Sequence, residues 1–187
     1  ALGRWAPVAF TIATKGYVGT GRNTTNYLDD FWEYDPITNS WMQKAPFGGG
    51  QRGGAVGFTI GNYGYVGTGI DGGGSYYNDF WRYDPGLNVW APLANVGGSV
   101  RCLAVGFSIA GKGCIGTGSD GASTYQDLWE YDPAGNTWVS KANYLGGNRQ
   151  DIDRAVFVVC SKAYMGTGAG TAGFYDDFWE YDPLTNA

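Results

Sequence analysis

Three arginines recur at one position of a repeating sequence, and arginine is well suited to binding carboxylates. Arg4, Arg52 and Arg101 each stand six residues before a phenylalanine. In the fourth repeat the same spacing leads to Asp151, and Arg154 lies three residues further on. Several guanidinium groups around one opening would bind an anion through paired hydrogen bonds. Alternatively, each arginine braces its own repeat by donating to loop carbonyl groups.

Aromatic residues lie near the ends of four variable polar loops. These loops span residues 22–29, 70–78, 119–126 and 169–176. Aromatic rings beside glycines and amides suit stacking on sugars or contact with proteins. In the alternative interpretation the rings pack each loop onto its own repeat. The candidate ligand-binding residues are therefore the arginines Arg4, Arg52, Arg101 and Arg154 and the tyrosines Tyr27, Tyr76, Tyr77, Tyr125 and Tyr175.

Several classes of chemistry have little support in this composition. The chain has no histidine, which is the commonest metal ligand and general base. The segments 71–74 (Asp-Gly-Gly-Gly) and 120–121 (Asp-Gly) lack the spaced oxygen ligands of a calcium loop. No catalytic residue, metal or cofactor is therefore predicted. Cys102, Cys114 and Cys160 do not recur at repeat positions, so no disulfide framework is implied, although one bridge remains possible.

The charge pattern disfavours nucleic-acid binding. The 187-residue chain has a net charge of −5, and its lysines and arginines are scattered. Nucleic-acid binding usually needs a basic patch or stripe. There is also no continuous apolar run of the roughly 18 residues that a membrane span requires. The expected partner is thus a protein or a glycan.

Two landmarks repeat along the chain with a period near 50 residues. The tryptophans Trp32, Trp81, Trp129 and Trp179 are spaced by 49, 48 and 50 residues. The triplet Gly-Thr-Gly keeps the same period at residues 19–21, 67–69, 116–118 and 166–168. A period of this length with glycine and aromatic landmarks predicts an all-β propeller with one four-stranded blade per repeat. Residues 1–187 are expected to form one propeller domain or fragment, with repeats at about 4–47, 48–95, 96–145 and 146–187.

The second repeat illustrates the expected blade. Residues 55–60, 65–67, 79–84 and 89–91 read as four strands separated by a turn, a polar loop and a second turn. The aromatic residues should fill the space between blades. Each aspartate before a proline should start a tight turn by capping backbone N–H groups. These repeated residues are interpreted as structural.

The pattern resembles the kelch repeat. Tyr34 and Trp41, Tyr83 and Trp90, and Tyr131 and Trp138 have the six intervening residues of that motif, while Gly-Thr-Gly replaces its glycine pair. The variant is similar to kelch-type proteins of bacterial secreted and surface-attached chains, and to the central domain of galactose oxidase. The resemblance implies an extracellular or cell-surface location. It also implies that the loops between strands two and three share one ligand-binding face with the links between blades.

The fourth repeat stops before the tryptophan of its outer strand would appear. Its third strand, Asp177–Asp182, would then be an uncovered edge, which is a ready site for pairing. Three explanations stay open. The chain is a fragment of a larger propeller or protein, only its ordered part is represented, or copies associate through that edge.

Three functions are therefore weighed. The first is a non-catalytic binding or scaffold propeller whose ligand is a glycan or an acidic protein segment. The second is a structural subunit of an extracellular assembly, completed by strand pairing between copies. The third is a carbohydrate-active enzyme of the isomerase or lyase type, for which Asp151 and Asp153 are the sequence candidates. Copper oxidase activity of the kelch type is excluded because its histidine ligands are missing.

Overall fold

The chain folds into four consecutive β-propeller blades. The structure is a computed structural model that describes residues 3–151, 155–170 and 173–187. Blade 1 contains β1 (Val8–Ile12), β2 (Lys15–Gly19), β3 (Phe31–Asp35) and β4 (Ser40–Lys44). Blade 2 contains β5 (Val56–Ile60), β6 (Tyr63–Gly67), β7 (Phe80–Asp84) and β8 (Val89–Pro92). Blade 3 contains β9 (Val105–Ile109), β10 (Lys112–Gly116), β11 (Leu128–Asp132) and β12 (Thr137–Lys141).

Blade 4 has three strands in the described residues. These are β13 (Val156–Val159), β14 (Lys162–Gly166) and β17 (Phe178–Tyr181), and a small hairpin of β15 (Ala169–Gly170) and β16 (Gly173–Phe174) lies in its loop. Every blade is an antiparallel meander in sequence order, so β17 forms the edge of the fourth sheet. The all-β propeller prediction is confirmed, including the missing outer strand. Among the described residues, no helix is long and apolar enough to cross a membrane.

Each turn between the third and fourth strands is closed by an aspartate and an asparagine. In blade 1 the Asp35 carboxylate accepts the backbone N–H of Ile37 at 2.9 Å, as the sequence predicts. Asn39 adopts φ = 50° and its side chain accepts the Tyr34 hydroxyl at 2.8 Å. Asparagine tolerates this left-handed conformation better than most residues.

Neighbouring blades are joined by aromatic packing. The Phe31 ring of blade 1 is edge-on to Tyr83 and Trp90 of blade 2, at centroid distances of 4.9 and 5.0 Å. Blades 2 and 3 repeat this arrangement with Phe80 and Tyr131, whose centroids lie 4.9 Å apart. The prediction that aromatic side chains fill the space between blades is confirmed.

The outer rim adds a pair of hydrogen bonds between blades. The side chain of Asn88 accepts the Ala45 N–H of the preceding blade at 2.9 Å, and the Trp90 indole donates to the Ala45 carbonyl at 3.2 Å. Asn136 and Trp138 hold Ala94 in the same way. The repeated aromatic and asparagine residues thus connect blades in addition to closing turns.

The two ends of the row of blades expose apolar faces. Phe157 and Phe178 of blade 4 are 53% and 49% exposed, whereas Phe58 and Phe80 at the same positions of blade 2 are 5% and 0% exposed. At the other end Trp41 of blade 1 is 49% exposed. The faces that pack together at internal junctions are therefore uncovered at both ends.

Candidate ligand-binding face

One face of the propeller carries the loops between strands two and three together with the links between blades. The backbone connects these segments, because the Gly21 N–H of blade 1 donates to the Arg52 carbonyl at 2.7 Å. The Arg52 N–H in turn donates to the Leu28 carbonyl at 3.2 Å. We call this surface the loop face. It matches the ligand-binding face that the kelch resemblance implies.

The repeated arginine lies beneath this face and is bonded to an aspartate of its own blade. Arg101 is completely buried, and its guanidinium bonds the Asp127 carboxylate at 2.6 and 2.7 Å. It also donates to the carbonyl oxygens of Thr117 and Ser99 at 2.9 and 3.0 Å. Thr117 is the centre of a Gly-Thr-Gly triplet and has φ = 55°. Four of the five N–H donors of the Arg101 guanidinium are therefore used inside its own blade.

The other blades repeat this ion pair. Arg4 bonds Asp30 at 2.6 Å, Arg52 bonds Asp79 at 2.5 Å and Arg149 bonds Asp177 at 2.5 Å. Each arginine also donates to the threonine carbonyl of its own triplet. The bonds to the arginines hold the pKa of Asp30 and Asp177 below the usual range. This placement favours the bracing interpretation of Arg4, Arg52 and Arg101.

The fourth member of the series is Arg149, which the spacing rule missed. The spacing from Phe157 places Asp151 in that slot, but the blade-to-blade hydrogen bonds give a different alignment. The Gly54 N–H donates to the Ala6 carbonyl, the Leu103 N–H to the Gly54 carbonyl and the Asp151 N–H to the Leu103 carbonyl. These four residues therefore occupy equivalent positions in successive blades. Counting back two residues from Asp151 reaches Arg149. Two extra residues before β13 displaced the count, and they fall in residues 152–154. Arg154 and Asp153 lie outside the described residues.

The candidate tyrosines divide into two groups. Tyr77, Tyr125 and Tyr175 lie over the guanidinium groups of their own blades, with the carbon of the group 4.0–4.7 Å from the ring centroid. These three rings are half-buried and cover the ion pairs. Tyr27 and Tyr76 reach the next blade instead. Tyr76 covers Gly121 closely, because a Cβ atom built there would lie 2.4 Å from its hydroxyl oxygen.

The Asp-Gly loops are turns held by side chains. The Asp71 carboxylate accepts the N–H groups of Gly73 and Ser75 at 2.9 Å and the Tyr77 hydroxyl at 2.7 Å. Asp120 is bonded similarly by Ala122, Ser123 and Tyr125. In the described part of the chain, no three side chains of the ligating types come together to hold a metal ion. These loops match the turn interpretation.

A cleft opens on the loop face where blades 1, 2 and 3 meet. It has a volume of about 60 Å³. Its lining residues are Trp5, Ala6, Arg22, Tyr27, Gly53, Gly54, Ile70, Cys102 and Leu103. The three cysteines form no disulfide, and burial raises the pKa of the Cys102 thiol to about 11. The Cys102 thiol therefore stays protonated at neutral pH and lines the cleft without being reactive.

Arg22 is a candidate ligand-binding residue that sequence reasoning missed. Its guanidinium lies 4.0 Å from the centroid of the Trp5 ring, and one nitrogen approaches the Tyr27 hydroxyl at 3.4 Å. Its Nε is buried without a hydrogen-bond partner, and no carboxylate within the described ranges pairs with it. Equivalent positions hold Ile70, Ser119 and Ala169. An arginine at a position that the other repeats fill with uncharged residues was the signal in the sequence that could have identified Arg22.

Comparison with known proteins supports the kelch resemblance. Residues 16–48 match the family model described as Kelch motif. The chain carries a kelch repeat. Among curated proteins, none matches the sequence. The solved structure entitled "Structure of YjhT" is similar with a TM-score of 0.81 and 18% identity, over 97% of this chain.

The likeness to YjhT concerns the fold alone at this level of identity. This kelch-repeat chain spans 63% of the length of YjhT. The matched segment 16–48 covers most of blade 1, including Tyr34 and Trp41. The kelch propeller fold is consistent with a binding or scaffold role. The fold does not locate a binding site, so the site has to be inferred from the residues of this chain.

Proposed function

We propose that this propeller is a non-catalytic binding module whose loop face takes a glycan or an acidic protein segment at the cell surface. The observation that supports it is the cleft beside Arg22. The Arg22 guanidinium has no carboxylate partner among the described residues and stacks there on a half-exposed indole, since Trp5 is 49% exposed. An aromatic surface next to a cation suits a ring or chain that bears a carboxylate.

The proposal moves the anion site away from the repeated arginines. Arg52, Arg101 and Arg149 are already neutralised by aspartates, so a ligand would have to displace a buried ion pair. Arg22 needs no such displacement. The cleft has room for one small group of a larger ligand, and the surrounding tyrosine-lined loops would contact the rest.

Replacing Arg22 with glutamine should weaken binding of an acidic ligand about tenfold, because a charge-assisted hydrogen bond contributes roughly 1.5 kcal/mol or more. Candidate ligands are first identified by screening an array of neutral and acidic oligosaccharides and by titrating a labelled oligo-glutamate peptide. Affinities of the wild type and of Arg22→Gln are then measured by fluorescence anisotropy. Lys141→Gln changes a lysine that faces Glu130 at 3.6 Å on the outer strand of blade 3, away from the cleft, and is the matched control that should bind as the wild type does. Equal affinities for wild type and Arg22→Gln would contradict the proposal.

A structural role is the second candidate, and the uncovered end of blade 4 favours it. β17 has a bare edge, and Phe157, Val159 and Phe178 beside it are about half exposed. Blade 1 offers Trp41 and Tyr34 on the face that internal blades use to cover such residues. A second copy could therefore pack its first blade on the fourth blade of its neighbour, which is a head-to-tail contact.

Light scattering over a concentration series should then show dimers or longer species that increase with concentration. The monomer is 20.0 kDa. Phe157→Glu should return the protein to that mass, since it charges the contact face. Phe174→Glu changes an exposed residue of the loop hairpin and serves as the control. A constant mass near that of the monomer at all concentrations would exclude assembly through this face.

A further inference from the structure

The third strand of two blades carries a glutamate held by a lysine and a tyrosine. In blade 1 the Glu33 carboxylate accepts Lys15 Nζ and the Tyr17 hydroxyl, both at 2.7 Å. In blade 4 Glu180 accepts Lys162 Nζ at 2.5 Å and the Tyr164 hydroxyl at 2.7 Å. Each glutamate is thus paired with a lysine, and each tyrosine hydroxyl has an acceptor.

Blade 2 has the opposite charge at the same position. Arg82 replaces the glutamate, Tyr63 replaces the lysine, and Tyr65 keeps the place of the bonded tyrosine. The Arg82 guanidinium lies over the Tyr63 ring, 4.7 Å from its centroid. Its Nε is buried without a hydrogen-bond partner. No carboxylate of the described chain forms an ion pair with it, and Tyr65 has lost the acceptor that Glu33 gives to Tyr17.

An open groove lies in front of these groups between blades 2 and 3. It has a volume of about 470 Å³, against about 290 Å³ for the equivalent groove between blades 1 and 2. Ligand sites of small molecules are commonly of about 300–1,000 Å³. The groove is bounded by the β5–β6 turn at Gly61 and the β11–β12 turn at Pro133. It is therefore on the face opposite to the loop face.

The carboxylates of Asp84 and Asp132 bind other groups of the protein. The Asp84 carboxylate accepts the N–H groups of Gly86 and Leu87 at 2.9 and 3.1 Å. Asp132 is paired with Lys112 at 2.7 Å. Burial raises the pKa of Tyr65, so its hydroxyl remains a hydrogen-bond donor at neutral pH. The groove thus presents a cation and a phenol donor without an acceptor.

We propose that this groove binds a small ligand with a carboxylate, of the size of a sugar acid. The ligand carboxylate accepts hydrogen bonds from the Arg82 guanidinium and the Tyr65 hydroxyl, as Glu33 accepts from Lys15 and Tyr17 in blade 1. The Tyr63 ring and Leu93 provide apolar contacts for the remainder of the ligand. This site is separate from the loop face and does not depend on the function proposed there.

Glucuronate and glucose are the test probes, since they differ in the carboxylate. Binding is followed by side-chain Nε–H resonances of arginine in ¹H–¹⁵N spectra at constant ionic strength. Glucuronate should bind at least about tenfold more tightly than glucose and should shift the Arg82 resonance. Arg82→Gln should reduce glucuronate affinity at least about tenfold, and Tyr65→Phe should reduce it by a smaller factor.

Arg82→Glu keeps the experiment decisive if the neutral variant folds poorly. It recreates the glutamate of blade 1, gives Tyr65 an acceptor and should fold, while it abolishes glucuronate binding. Lys141→Gln, at a lysine that faces Glu130 at 3.6 Å and lines neither the groove nor the loop-face cleft, is the matched control and should bind glucuronate normally. The proposal is overturned if glucose binds as well as glucuronate, if Arg82→Glu still binds glucuronate, or if only Arg22→Gln loses it.

Discussion

Arg101→Ala is expected to lower the free energy of unfolding by about 3 kcal/mol, because removing one partner of a buried ion pair leaves the other uncompensated. The variant also leaves the carbonyl of Thr117 without its donor, and the Tyr125 ring loses the cation beneath it. Asp127 keeps the Trp129 indole as a donor at 2.8 Å, and its side chain is 28% exposed, which moderates the loss. Urea unfolding followed by tryptophan fluorescence measures the effect.

Two further variants separate bracing from ligand binding. Asp127→Asn alone should also destabilise the fold, and the double variant should cost less than the sum of the two single variants. Arg22→Ala is the control, because Arg22 has no carboxylate partner in the described residues and its removal should change stability far less. If Arg101→Ala instead folded with wild-type stability and lost only ligand affinity, the repeated arginines would be a binding site after all.

Gly116→Ala should strongly destabilise the protein, with a loss of about 3 kcal/mol in the free energy of unfolding. A Cβ atom at this position would lie 2.4 Å from the Asp127 carbonyl oxygen and 3.1 Å from the Leu128 Cα atom. Both are backbone atoms, so relief requires β10 and β11 to separate where the Arg101 ion pair is anchored. Thermal and urea unfolding of the variant measure the loss.

Gly16→Ala is the matched control for this substitution. Gly16 also lies on a second strand, but a Cβ atom there meets only the Tyr34 Cβ atom at 3.8 Å, an ordinary contact. Its stability should stay within about 0.5 kcal/mol of the wild type. Comparable losses in the two variants would show that the strand glycines matter through backbone flexibility and not through close approach.

The placement of Arg149 explains why a fixed spacing was insufficient to find the site residues. The count from Phe157 back to Asp151 assumes that each link between blades has the same length. A link can gain two residues without altering the blade, because insertions in surface connections cost little. The hydrogen bond from Asp151 to Leu103 restores the alignment, and it is a property of the packed blades.

The sequence by itself determined the blade, because the period and the turn residues are local and repeat four times, and the Tyr–Trp spacing repeats three times. It also placed the bare third strand of blade 4, and its resemblance to the kelch repeat implied the shared loop face. Whether Arg52 and Arg101 faced a ligand or an aspartate could not be read from it, since Asp79 and Asp127 are 27 and 26 residues away in the chain. Only packing of the loop onto the blade brings these charges together, while Arg22 and Arg82 have no carboxylate partner among the described residues. Tertiary structure thus decided which of these cations are neutralised, and the proposed ligand sites depend on that difference.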